Sequence, residues 1–155
     1  MANNQDTFRK VLLEVLEETF ETHHGIYLDK GTSLFATLDT VTSDEASRPV
    51  GGQCASLAAQ VAHVTFYMEI LERHMLGQEV GKVDWGEIWR TVQAVSPDEW
   101  TALRQQLALV YGRINTTLRD LESWDSEDLI GGALAITVHT AYHLGEIRQA
   151  LCTLR

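Results

Sequence analysis

A single period constrains this chain more than anything else in it. Apolar residues recur at the 3.6-residue spacing of a helix in four long stretches, and no stretch alternates with the two-residue period of a strand. The first stripe is Phe8, Val11, Leu12, Val15, Leu16 and Phe20, with Glu14, Glu17, Glu18 and Glu21 among them, over about 5–22. His23, His24 and Gly25 follow, the glycine suiting a C-cap. The second stripe starts at Ser56 and runs through Leu57, Val61, Val64, Met68 and Leu71 to about Met75, where Gly77 stops it. The third opens on Ser96, Pro97, Asp98 and Glu99, which read as N-cap, first helical residue and capping-box partner. Trp100, Leu103, Leu107, Val110, Ile114 and Leu118 carry it to about Leu121. The fourth, capped by Asp125 or Ser126, passes through Leu129, Leu134, Ile136, His139, His143 and Ile147.

The remainder connects these stripes. Residues 33–38 form a short helical pattern that extends the first helix after a break. "VTSDEASRPVGGQCAS" reads as loop, with turn formers, Pro49 and the pair Gly51-Gly52. Residues 77–89 read as a long connection anchored by Trp85 and Trp89. No internal repeat is present. Four main helices with one long crossover predict an all-α four-helix bundle, and 155 residues are enough for one domain, 1–155, with a real core.

Charge narrows the partners. The chain carries a net charge of -10, so it repels phosphate backbones, and nucleic acid is not expected. No basic amphipathic face suits an anionic membrane, and no run approaches ~18 consecutive apolar residues. The start, "MANNQDTFRKVLLEV", has no signal-like apolar segment. Cys54 and Cys152 are far apart and form no CxxC pair. These features predict a soluble, cytoplasmic protein.

Histidines carry the candidate chemistry. His139 and His143 are four residues apart, so their Cβ atoms lie about 5–6 Å apart on one helix face. Ile136 precedes them on that face and Glu146 follows, which turns the histidines inward. Buried imidazoles need hydrogen bonds or a metal. HxxxH alone is a weak metal signal, and a third ligand from elsewhere strengthens it. His63, in "AAQVAHVTFYMEI", is that candidate; read alone, it suits a core histidine bonded to a carbonyl or carboxylate. His74 lies roughly 16 Å further along the same helix and is a poor partner. His23 and His24, at a helix end, read as capping or surface residues.

Around this site several residues have two readings each. Glu146 suits a ligand, a general base or an acceptor orienting an imidazole; its plain role is an ion pair. Tyr67, one turn after His63, either brings its hydroxyl toward an ion or fills the core. Gln60 and Tyr142 are weaker candidates. Arg148 suits an anionic substrate but points away from the histidine face. Trp85 and Trp89 either form a pocket mouth or pack the crossover. Cys54 has no basic neighbour that would make it a nucleophile.

Taken together, these segments resemble the DinB-like superfamily of four-helix-bundle proteins, the damage-inducible, YfiT-type metalloproteins. "TSLFATLDTVTSDEASRPV" is similar to its first-helix ending and following turn, "SLAAQVAHVTFYMEIL" to its second helix with a single histidine, and "VDWGEIW" to its aromatic connection. "VHTAYHLGEIRQAL" resembles its HxxxHxGxxRQ signature helix, the most specific element of the four. The resemblance covers nearly the whole chain. It implies a divalent ion held by His63, His139 and His143, pairing into a homodimer, and a link to stress response.

Three imidazoles leave coordination positions open, as catalytic ions require. Imidazole suits Zn or Ni best here, with Fe or Mn as further options, and sequence does not choose. Relatives in that superfamily use low-molecular-weight thiols, which implies a thiol-dependent transferase or a hydrolase acting on a small molecule, with Glu146 and Tyr67 as catalytic residues. The alternatives are a non-enzymatic bundle carrying a metal or small molecule, and a dimerising structural module.

Overall fold

The structure, a computed structural model, describes residues 4–155. It is all-helical, with no strand among the described residues. Four long helices dominate: α1 (Asn4–Phe20), α4 (Leu57–Met75), α6 (Pro97–Asp120) and α7 (Glu127–Leu154). Three single-turn helices lie between them: α2 (Leu34–Leu38), α3 (Ser43–Ser47) and α5 (Glu87–Thr91). No helix among the described residues is long and apolar enough to cross a membrane.

Helix α4 is the centre. It packs against both α6 and α7, and α1 completes the layer by touching the same two helices. Its mean composition is apolar because it is covered on two sides: Leu57, Val61, Val64 and Met68 are all buried. Ser56 caps its start by accepting from the Ala59 N–H at 3.2 Å. Its end is sharp, because Gly77 takes a left-handed φ of 66° and lets Gln78 N–H return to the Arg73 carbonyl.

Helix α6 starts as its sequence indicates. Ser96 and Glu99 make a reciprocal capping box, with Pro97 inside it. Trp100 then buries its ring and donates its indole N–H to the Val41 carbonyl at 2.9 Å. Ser126, not Asp125, caps α7.

Differences from the sequence reading have physical causes. Helix α1 ends at Phe20, not near residue 22, because the buried carboxylate of Glu18 gathers the backbone N–H groups of His24, Ile26, Tyr27 and Leu28. Gly25 lies in the loop this makes, with φ 74°. The buried face of α1 is also rotated: Leu13 is buried and Val11 is half-exposed. The stretch read as loop after Val41 contains α3, made by a Thr42–Glu45 capping box. The long connection contains α5, one turn that holds Trp89.

Candidate metal centre

Two helices build the site. His63 comes from the middle of α4, and His139 and His143 from α7, a separation of 76 residues between His63 and His139. On α7 the inward face is set by Ile136 and Ile147, both fully buried, and the two histidines lie between them on the same side. On α4 His63 sits among Ala59, Ala62 and Val64, where small side chains let the two helices approach. His63 and His143 are buried, and His139 is partly buried.

The three rings meet through the same atom. His139 Nε2 is 3.1 Å from His63 Nε2 and 3.2 Å from His143 Nε2. One ligand atom from each residue lies within 4.8 Å of the other two, close enough for all three to hold one metal ion. An ion bound at roughly 2.0–2.1 Å by imidazole nitrogens separates adjacent ligands by about 3 Å, so the two pairs made by His139 have the spacing of a coordination edge, and the third pair lies within 4.8 Å.

Tautomers decide whether lone pairs face inward. His143 Nδ1 lies 3.0 Å from Glu146 Oε2 and 2.5 Å from Gln60 Oε1. Both partners are acceptors, so Nδ1 carries the proton and donates. The Nε2 of His143 therefore presents a lone pair to the cluster. His63 Nδ1 and His139 Nδ1 are buried without a hydrogen-bond partner among the described residues. No described residue thus pins these two rings through their outer nitrogens, and their inner nitrogens define the cluster.

Electrostatics favour the neutral, ligating form. Burial holds His63 down at about 4, helped by the neighbouring His143 and opposed by Glu146. Burial also holds His139 at about 4, with His143 and His63 adding to it. His143 is lowered by burial too, against the pull of Glu146. Imidazoles that resist protonation at neutral pH are ready to donate to a cation.

Aromatic rings enclose the histidines. Tyr67 stacks flat on His139, with centroids 3.6 Å apart and planes at 15°. Trp89, from α5, lies 4.3 Å from His63, and Trp85 rests against Tyr67 at 5.7 Å. Tyr142 meets His143 edge-on at 5.1 Å. Beside Glu146 a cavity of about 500 Å³ runs along α7, lined also by Gln60, Tyr142, Val50 and Ala150.

Most of the residues singled out by sequence converge here. His63, His139, His143, Glu146 and Tyr67 are neighbours, whereas His74, His23 and His24 are exposed and elsewhere. Gln60 is more closely engaged than its sequence context indicates, since only the docking of α4 on α7 brings it to His143. Arg148 does face away, toward Thr37. Cys54 and Cys152 are both free and exposed. The chain matches no family model, no curated protein and no solved structure.

Proposed function

We propose that His63, His139 and His143 hold one divalent metal ion in a DinB-like four-helix bundle, and that the protein is a metal-dependent enzyme acting on a small molecule. The observation that carries this reading is the convergence of three Nε2 atoms at ligand spacing from two helices. The donor set fits Zn or Ni best, with Fe or Mn as further options. A bound ion supplies Lewis acidity, lowering the pKa of a coordinated water or thiol.

The chain's own residues supply the rest. Gln60 and Glu146 fix the tautomer of His143 and aim its Nε2. Glu146 borders the cavity, so its carboxylate is placed to accept a proton from a molecule held there. Tyr67 orients the His139 ring by stacking, and burial keeps its hydroxyl protonated as a donor. Trp89 shields the His63 side from water. Three histidine ligands would leave coordination positions open on a bound ion, and this together with the adjoining cavity favours a thiol-dependent transferase or a hydrolase over a closed carrier.

Elemental analysis of protein without a polyhistidine tag tests the reading. We expect near-stoichiometric metal in the wild type and its loss in both His63→Ala and His139→Ala. Added metal raises the wild-type melting temperature, chelator reverses the rise, and neither variant responds. Wild-type protein that stays metal-free after incubation with Zn, Ni, Fe and Mn sinks the proposal.

A further inference from the structure

A second cavity, of about 370 Å³, lies on the opposite flank of α7, between its C-terminal turns and α2. Arg148, Arg155, Thr37, Thr40, Gly31 and Cys152 border it. Two guanidinium groups line it and no carboxylate does, in a chain with 22 acidic residues against 12 basic ones. The only charged side chains that line it are cationic, the reverse of the balance of the chain as a whole.

The two arginines are not equivalent. Arg155 is neutralised: its Nε donates to Glu45 Oε1 at 2.8 Å and its Nη2 to the Thr40 carbonyl at 2.8 Å. Among the described residues Arg148 has no acidic partner within ion-pair distance, and its one polar contact there is a long hydrogen bond of 3.4 Å to Thr37 Oγ1. Its fork of donors is largely unspent. Positions 148 and 155 are seven residues apart, two turns along one helix face, so both reach toward the same side. The Thr40 hydroxyl holds Arg155 in place: it accepts from Nη2 at 3.2 Å and donates to the Thr37 carbonyl at 2.9 Å.

We propose that this cavity is a binding site for a small oxyanion, a phosphate or carboxylate group, held chiefly by the Arg148 guanidinium with Arg155 beside it. An arginine fork matches such a group in two parallel hydrogen bonds, which are stronger than neutral ones. The site is independent of the histidine cluster. Arg148 lies five residues beyond His143 on a different face, and the proposal holds whether or not a metal binds.

Calorimetric titration of the full chain with inorganic phosphate and, separately, with acetate tests it, at constant ionic strength. At least one of the two is expected to bind in the millimolar range or tighter, and the tighter one names the head group. Arg148→Gln is expected to weaken that binding about tenfold or more, with Arg148→Lys in between. Arg73→Gln, which removes an exposed arginine from the far end of α4, leaves it unchanged. A ligand-free melting temperature at the wild-type value shows that the Arg148 variants fold. Absence of binding by both anions to the wild type overturns the proposal, and so does Arg148→Gln binding as tightly as wild type.

Discussion

Two buried polar sites in this molecule are built on opposite principles. The Glu18 carboxylate is fully buried, and every acceptor position around it is filled: His24, Ile26, Tyr27 and Leu28 all donate backbone N–H groups at 2.6–2.9 Å. Burial alone would raise its pKa, but these donors outweigh it and hold Glu18 at about 2. The histidine cluster is largely buried too, with His139 partly exposed, yet among the described residues two of its three outer nitrogens have no partner, and its three inner nitrogens face one another. A polar group buried to shape the chain brings its partners with it. The histidine cluster does not: its inner nitrogens converge on one another and two of its outer nitrogens are left unpaired among the described residues.

Removing Glu18 gives the largest expected effect. Glu18→Ala strands several buried N–H groups at once, and we expect it to lower stability by roughly 3–5 kcal/mol in urea unfolding. The amides of Ile26, Tyr27 and Leu28 should then exchange with solvent far faster. A change within about 0.5 kcal/mol, as at an ordinary surface position, breaks the contrast at this end.

Acid titration sharpens it, because both sites lose stability as pH falls but in different windows. For His63 and His139 the folded value is about 4 against an ordinary 6.5. The unfolded chain therefore binds more protons between those values, and metal-free protein loses stability as pH drops from about 6.5 toward 4. Glu18 is about 2 folded against 4.5. Its contribution is present above 4.5 and is lost as pH falls toward 2. We expect the upper window to amount to about 2 kcal/mol, allowing for the part-exposure of His139, and to shrink in His63→Ala. Urea midpoints for the metal-free protein from neutral pH downward measure it. A flat response between pH 7 and about 4 would show that the histidines are not held neutral by burial.

Tyr67 gives the smallest effect. Its ring stacks on His139, so Tyr67→Phe should change metal affinity by less than about threefold, and Tyr67→Ala by more. A tenfold loss in Tyr67→Phe, measured by competition with a chelator, would mean that the hydroxyl itself acts at the ion.

Legibility followed the physics of each element. The four long helices were readable because each buries a stripe, and Ser96 and Glu99 announce α6 in four residues. The inward face of the HxxxH pair was readable from Ile136; the small and apolar neighbours of His63 marked it only as a core histidine, and what places it beside the pair is the docking of α4 on α7. Helix α3 buries almost nothing, so no period marks it, although the Thr42–Glu45 box was there to be read. Glu18 was not readable. A glutamate among glutamates on a helix looks solvated, and the backbone donors that bury it carry no residue code. Gln60 and Arg148 depend likewise on contacts across 83 and 111 residues of chain. Such contacts exist only once helices dock.

The 76 residues between His63 and His139 have a further consequence. An ion bound to both would act as a reversible cross-link, closing that long loop much as a disulfide does. By the loop-entropy account a closure of this length restricts the unfolded chain by about 4.5 kcal/mol. The centre would then be a fastener as well as a reagent. It would join α4 to α7 while loaded, and chelation would release the joint without cutting any covalent bond.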